Sequence, residues 1–326
     1  MTTVLPDAAP TNWVDRHAPA SLRPWLKLGR LDRPTGIWLL MLPGWQGIAL
    51  ADAMAGAWPD LRLLALFFAG AVLMRAAGCA YNDIVDADLD AKVARTAGRP
   101  IPSGQIGKRG AWAFLIVCSL LSLAILLTLN VAAVVLGVAS LALVGAYPFM
   151  KRITWWPQAW LGLTFNWGVL LGAAAALDLP TLWPWLAVQT GDWVVQTRVN
   201  HVGAVLLLYV ANVFWTLGYD TIYAVQDLED DALAGVKSSA RRLGAAAPRA
   251  VLCFYLIAVA LALGAWQAAR LGFASLPLIA VFAAILLAQP VRLRLDNPAR
   301  ALALFKWNTW AALALFAALA AGAWRG

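Results

Sequence analysis

Residues 111–149 read AWAFLIVCSLLSLAILLTLNVAAVVLGVASLALVGAYPF and contain no Asp, Glu, Lys or Arg. Divided at Asn130, the stretch gives two apolar runs, 111–128 and 131–149. At 1.5 Å per residue each run is a helix close to the ~30 Å hydrocarbon core of a bilayer. The same pattern continues in both directions, with runs at 35–52, 63–82, 154–177, 203–226, 250–269, 271–289 and 301–324. It predicts an all-α, polytopic bundle of nine transmembrane helices. Composition agrees: 62% of the 326 residues are hydrophobic and 13% charged, against roughly 45–50% and 25% in soluble domains. A soluble globule is excluded.

The net charge of +8 does not indicate nucleic acid, because the basic residues fall in short gaps between apolar runs, where membrane topology accounts for them. One set of alternate loops, with the N-terminal segment, carries 19 Lys and Arg, while the opposite set carries only Arg62, Arg198, Arg270 and Arg325. The positive-inside rule therefore puts the N-terminus in the cytoplasm. Lys306, at the cytoplasmic start of the last run, is expected to snorkel. The expected division is an N-terminal segment, 1–34, with an interfacial helix at Leu22–Leu31, followed by one transmembrane domain, 35–326. The first 30 residues lack the apolar core of a cleavable signal peptide. Residues 178–202, with Trp183, Trp185 and Trp193, read as a long far-face loop within an aromatic belt. Cys79, Cys118, Cys253, His17 and His201 form no disulfide framework or zinc spacing.

Nine of the 17 acidic residues lie in two short windows, NDIVDADLD at 82–90 and YDTIYAVQDLEDD at 219–231. Both windows end even-numbered runs, so both face the same side. If the helix continues through the first window, Asn82, Asp86 and Asp90 follow i, i+4, i+8, with Asp83 beside them and Asp88 turned away. In the second window Asp220, Asp227 and Asp231 follow i, i+7, i+11, with Asp230 at the edge of the stripe and Glu229 off it.

Like charges so placed repel, and the arrangement calls for a cation. The donors are all hard oxygens, which suits Mg²⁺. Basic and hydroxyl groups follow each window: Lys92, Arg95 and Arg99 after the first, and Lys237, Ser238, Ser239, Arg241 and Arg242 after the second. Acids followed by bases suggest a clamp in which carboxylates hold metal and the cations hold diphosphate oxygens. Pro100, Pro102 and Gly104 stop the helix and shape the loop. A single acidic cluster would read as a solvated loop, but two on helical stripes at one face do not. A divalent-cation transporter would bind near the bilayer midplane, where these helices hold almost no acid.

These residues resemble the UbiA superfamily of membrane prenyltransferases. Asn82, Asp83, Asp86 and Asp90 match its first Asp-rich motif, and Asp227 and Asp231, with Asp220 upstream, its second. The flanks LMRAAGCAYND, RTAGRPIPSG, YPFMKR and GVKSS resemble the branch that acts on 4-hydroxybenzoate in ubiquinone biosynthesis, whereas branches using naphthoate, homogentisate or haem remain alternatives. The resemblance implies a bundle around a central cavity capped by the two Asp-rich loops, with a lipid-facing opening. It implies Mg²⁺-dependent transfer of a polyprenyl group from polyprenyl diphosphate to the carbon ortho to the phenol, in a bacterial inner membrane, with the site cytoplasmic and no protein partner evident. Asp86, Asp90, Asp220, Asp227 and Asp231 are then the expected catalytic set, and Asn82, Asp83 and Asp230 further metal donors.

Arg75 lies two turns before Asn82 in an otherwise apolar run, where an unpaired Arg costs at least ~2.5–3.5 kcal/mol. The residues leave two readings open, a buried pair with Asp83 or Asp220 and a contact with an acceptor carboxylate or diphosphate. Arg33 competes for the carboxylate, and Tyr147 and Lys151 are weaker candidates for the cavity wall.

Overall fold

The computed structural model describes residues 12–91, 96–177, 192–228, 232 and 235–324. Among these, nine helices are long and apolar enough to cross a membrane. In chain order the helices are α1 (Trp13–His17), α2 (Arg23–Leu28), α3 (Thr35–Met54), α4 (Leu61–Val85), α5 (Ala87–Asp90), α6 (Lys108–Leu126), α7 (Val131–Ile153) and α8 (Pro157–Ala176). There follow α9 (Asp192–Ala224), α10 (Ser239–Leu243), α11 (Ala247–Ala268), α12 (Leu276–Arg292) and α13 (Pro298–Ala321). The nine expected spans are α3, α4, α6, α7, α8, α9, α11, α12 and α13.

Local chemistry sets several helix starts. Asp60 accepts from the Arg62 and Leu63 amides at 2.7 and 3.3 Å, Asn130 from Ala133 at 2.9 Å, and Asn297 from Arg300 at 2.9 Å. Pro157 and Pro298 open their helices, where their missing N–H costs nothing. Close packing of α3 on α8 rests on glycine: a Cβ at Gly47 would lie 2.2 Å from the Val169 carbonyl oxygen, and one at Gly172 2.3 Å from that of Gly44.

The middle of the bundle is joined by neutral polar groups. Asn166 donates to Thr216 at 2.7 Å, Asn212 to Gln46 at 2.7 Å, and Gln46 to the Ala312 carbonyl at 3.0 Å. Asn308 accepts from Trp215 at 2.9 Å and donates to Gln289 at 3.0 Å, while Tyr255 donates to Gln289 at 2.9 Å. All eight side chains are buried.

Two expectations about segments need correction. Residues 192–202 continue α9 as helix rather than forming a loop; 178–191 lie outside the described residues. The expected interfacial helix is shorter, Arg23–Leu28, and it packs inward: Leu28 is fully buried beside Ala80 and Ala111, and the Trp25 ring lies 5.9 Å from Phe114. Trp13 donates to the Leu31 carbonyl at 2.7 Å, tying α1 to the end of the same segment. The N-terminal segment is thereby fixed against α4 and α6, where the first acidic window begins.

Candidate active site

The bundle encloses a cavity of about 650 Å³. One arm is apolar, lined by Leu66 and Phe67 of α4, Ile125 and Leu126 of α6, Leu129 of the turn that follows it and Val144 of α7. The other end is charged, bordered by Arg30, Arg33, Asn82, Asp83, Arg99 and Asp220. Arg75, Tyr147 and Tyr223 line the wall as well, and Lys306 reaches it from α13.

The first acidic window is not one continuous helix. α4 ends at Val85, Asp86 is its C-cap, and the chain resumes in the single turn α5. The i to i+4 relation survives the break, because the Asp86 amide donates to the Asn82 carbonyl at 2.9 Å and the Asp90 amide to that of Asp86 at 2.8 Å. Asp83, Asp86 and Asp90 are buried, whereas the Asp88 side chain is 94% exposed and, among the described residues, reaches only Lys108, at 3.6 Å.

Each buried acid of this window meets cations. Arg30 Nη2 lies 2.6 and 2.8 Å from the two oxygens of Asp83. Arg99 Nη1 lies 3.2 Å from Asp83 and 2.7 Å from Asp90. Asp86 is held by Lys151 and, at 3.0 Å, by Arg152, both at the end of α7. Burial pushes the Asp90 carboxyl above the ordinary carboxylate value, with Arg99 opposing the shift. For Arg30 burial acts to lower the guanidinium, but the Asp83 carboxylate more than reverses this and the net direction is up.

Arg30 was not singled out from the sequence, where it is one of five basic residues in the N-terminal segment. Its only local signal is conformational: after α2 ends, Arg30 takes φ of +59°, a region costing of order 1–3 kcal/mol for a residue with a Cβ. That turn accompanies its contact with Asp83.

In the second window the expected stripe is broken as well, since α9 ends at Ala224 and Val225–Asp227 form a tighter 3-10 turn. Asp220 faces the cavity; Asp230 and Asp231, like Lys92 and Arg95 of the first loop, lie outside the described residues. Ser238 caps α10, and the Ser239 hydroxyl shares a 2.7 Å hydrogen bond with Thr221. Lys237 donates through its amide to the Lys151 carbonyl at 3.0 Å and through Nζ to that of Ile153 at 3.2 Å. The end of α7 thus touches the first window and the loop that follows the second.

Arg75 does not pair with Asp83, which Arg30 and Arg99 occupy. Its guanidinium carbon lies 5.3 Å from the Phe165 ring centroid, and its Nε is buried without a hydrogen-bond partner among the described residues. Gly36 makes room for it: a Cβ there would come 2.7 Å from Nη2. Asp220 is close enough to interact with it electrostatically, without an ion pair. Arg33 by contrast has a carboxylate, Asp32, at 3.0 Å.

No group of three or more acidic, His or Cys side chains among the described residues is placed to hold a metal ion. The donor chemistry nevertheless suits a hard divalent cation, since Asn82, Asp83 and Asp220 present only oxygen or amide groups to one cavity.

An all-helical membrane protein with an intramembrane cavity, apolar at one arm and charged at its mouth, is built for an amphiphile with an ionic head. Residues 40–313 match the UbiA prenyltransferase family, and the chain belongs to that family. It is 52% identical over 223 residues, 68% of this chain and 45% of the relative, to the mitochondrial 4-hydroxybenzoate polyprenyltransferase of Aedes aegypti. It is 48% identical over 227 residues, 70% of this chain and 56% of the relative, to that of Homo sapiens. The chain spans about half the length of these curated relatives. Among solved structures, a UbiA homolog from Aeropyrum pernix K1 in its apo form superposes with a TM-score of 0.68 at 29% identity, covering 86% of this chain and 96% of that one. A homolog from Archaeoglobus fulgidus bound to GPP and Mg²⁺ shares the fold, with a TM-score of 0.62 at 18% identity over 91% and 99% of the two chains.

Proposed function

We propose that the protein transfers a polyprenyl group from polyprenyl diphosphate to the ring carbon of 4-hydroxybenzoate ortho to its hydroxyl, releasing diphosphate, as a step in ubiquinone biosynthesis. The observation that carries this reading is the cavity's polarity: an apolar arm between α4, α6 and α7 meets a mouth crowded with acids and cations, and between them lies Arg75, whose buried Nε has no hydrogen-bond partner among the described residues. The names of the relatives support the choice of acceptor.

In this reading the prenyl chain occupies the apolar arm, where it stays out of water. Asn82, Asp83, Asp86, Asp90, Asp220 and Asp227, with Asp230 and Asp231, would hold Mg²⁺, which when bound supplies Lewis-acid stabilisation of the departing diphosphate. Arg99, with Lys92, Arg95, Lys237 and Ser238, binds diphosphate oxygens. Arg75 receives the acceptor's carboxylate and orients the ring; Arg33, already paired with Asp32, is the weaker choice, and Tyr147 lines the wall beside the acceptor. The phenol directs the electrophile to the ortho carbon, and the dry apolar wall keeps water from the allylic cation.

We place the site on the cytoplasmic side of a bacterial inner membrane, and the charge bias of the loops supports that sidedness. Single cysteines at the exposed positions Ser103 and Ala245 should then react with an impermeant thiol reagent from the cytoplasmic side only. The decisive experiment supplies membranes bearing the protein with polyprenyl diphosphate, Mg²⁺ and a panel of acceptors. Prenylated 4-hydroxybenzoate is the expected product; prenylation of 1,4-dihydroxy-2-naphthoate or homogentisate alone would overturn the acceptor.

A further inference from the structure

The oxygens that a metal ion needs in the first acidic window are the oxygens that basic side chains hold. At Asp86, whose side chain has no exposed surface, one oxygen meets Lys151 and the other Arg152. At Asp90 one oxygen meets Arg99. Two of these cations are freer than Arg30, whose side chain is nearly buried: Lys151 is 24% exposed and Arg152 51% exposed, and both stems are long enough to swing.

Two binding events considered singly are each unfavourable here. A divalent ion that takes Asp86 strips Lys151 and Arg152 of their counter-ion. A diphosphate that takes Lys151 and Arg152 leaves a fully buried carboxylate unpaired, and a stranded buried charge costs on the order of several kcal/mol. When both arrive together no charge is stranded, because the carboxylates pass to the metal and the cations to diphosphate oxygens.

We propose that Lys151 and Arg152, with Arg99, are exchangeable counter-ions of the first acidic window, so that divalent metal and diphosphate bind as a mutually dependent pair. The proposal rests on the prenyl-diphosphate reading above and extends it: the metal-free, substrate-free site is self-neutralised, and neither ligand binds well without the other. Lys151 is the main competitor for the metal because its ammonium sits on an oxygen of Asp86. Its backbone carbonyl also accepts from the Lys237 amide of the second loop, so Lys151 stands between the two loops. By linkage, the factor by which diphosphate tightens metal binding equals the factor by which metal tightens diphosphate binding.

The test uses the whole protein in detergent micelles, with Mn²⁺ followed by electron paramagnetic resonance and inorganic diphosphate as the second ligand. Free concentrations are corrected for the complex the two form in solution. Saturating diphosphate should tighten Mn²⁺ binding by about tenfold or more, within the ~5–150-fold range of measured couplings, and Mn²⁺ should tighten diphosphate equally. Lys151→Gln should tighten Mn²⁺ binding in the absence of diphosphate and collapse the coupling towards unity. Arg152→Gln, at a half-exposed and therefore tolerant position, should shift both in the same direction by less, and it decides the matter if Lys151→Gln does not fold. Lys108→Gln, at the exposed Asp88 pair, controls for loss of positive charge alone and should change neither.

Mn²⁺ affinity independent of diphosphate, or unchanged or weakened in Lys151→Gln, overturns the exchange while leaving the proposed activity standing, provided the wild type still binds prenyl diphosphate. A wild type that binds neither Mn²⁺ nor diphosphate overturns both.

Discussion

At the end of α4 the buried polar groups are ions: Asp83, Asp86 and Asp90 against Arg30, Arg99, Lys151 and Arg152. Across the middle of α3, α8, α9, α11, α12 and α13 they are neutral: Gln46, Asn166, Asn212, Gln289, Asn308 and Tyr255. The difference follows from what each region does. Ion pairs beside a cavity mouth can be traded for other ions at little net cost, because every partner is replaced by a charge of the same sign. Amide bonds between spanning helices have no such substitute in hydrocarbon, so they serve as fixed joints. The mouth is built to change partners and the middle to keep them.

The largest expected effect breaks the mouth's chemistry. Asp86→Asn and Asp227→Asn should each lower turnover by about 10²–10³, the loss typical of one electrostatic contact to a developing charge. Asp88→Asn, on a side chain 94% exposed, should stay within about twofold, where a surface pair is worth ~0–1 kcal/mol. Initial rates of prenyl transfer in membranes measure all three; equal losses would erase the distinction between buried and exposed acids. Next in size is Arg30→Gln, which strands Asp83 with only the longer Arg99 contact. Breaking a buried pair typically costs about 3–5 kcal/mol, and a clear fall in thermal unfolding temperature in detergent is expected, together with loss of rate. Unchanged stability would show that Arg99 suffices for Asp83.

How much of this was legible in the sequence follows the same division. Charge is conspicuous in an apolar chain, so the two acidic windows, their common face and the isolated Arg75 stood out without any coordinates. The nine spans were legible because each is a long apolar run, most of them bounded by charge, Gly or Pro and one pair divided at Asn130. Three features were not legible. Helix continuity through Asp86 failed because nothing in NDIVDADLD marks the break; there is no Pro or Gly, and the two halves stay joined by hydrogen bonds at i to i+4. Arg30 was hidden among neighbouring basic residues, and only its left-handed backbone distinguishes it. The amide joints were invisible because single Asn or Gln residues scattered over five helices form no local pattern. They become a network only when the bundle assembles.

Arg75 lies between the two regions, and its replacement sharpens the boundary. Arg75→Lys keeps the charge but loses the planar fork that matches a carboxylate. The KM for 4-hydroxybenzoate should rise about tenfold, roughly 1.4 kcal/mol, with the KM for prenyl diphosphate within about twofold. Arg33→Lys, whose partner Asp32 is already in place, should do less. The reverse ranking would move the acceptor's carboxylate from the depth of the cavity to its rim.

The smallest effect tests the fixed joints. Asn308 joins three helices: it accepts from Trp215 of α9, donates to Gln289 of α12, and accepts more weakly from Tyr255 of α11, at 3.4 Å. Asn308→Leu fills nearly the same volume but removes the acceptor for the Trp215 indole. In an apolar setting an orphaned donor costs about 1–3 kcal/mol, and Tyr255 keeps Gln289 as its acceptor at 2.9 Å. The membrane sets the lower end of that range, because the separated helices also find polar partners and individual bonds there average only ~0.6 kcal/mol. A loss of about 1 kcal/mol is therefore expected in reversible unfolding in mixed micelles. KM for both substrates should be unchanged, since Asn308 does not border the cavity. A change in KM without a change in stability would mean that the middle of the bundle moves with the mouth, and that the division between exchangeable and fixed polar groups is wrong.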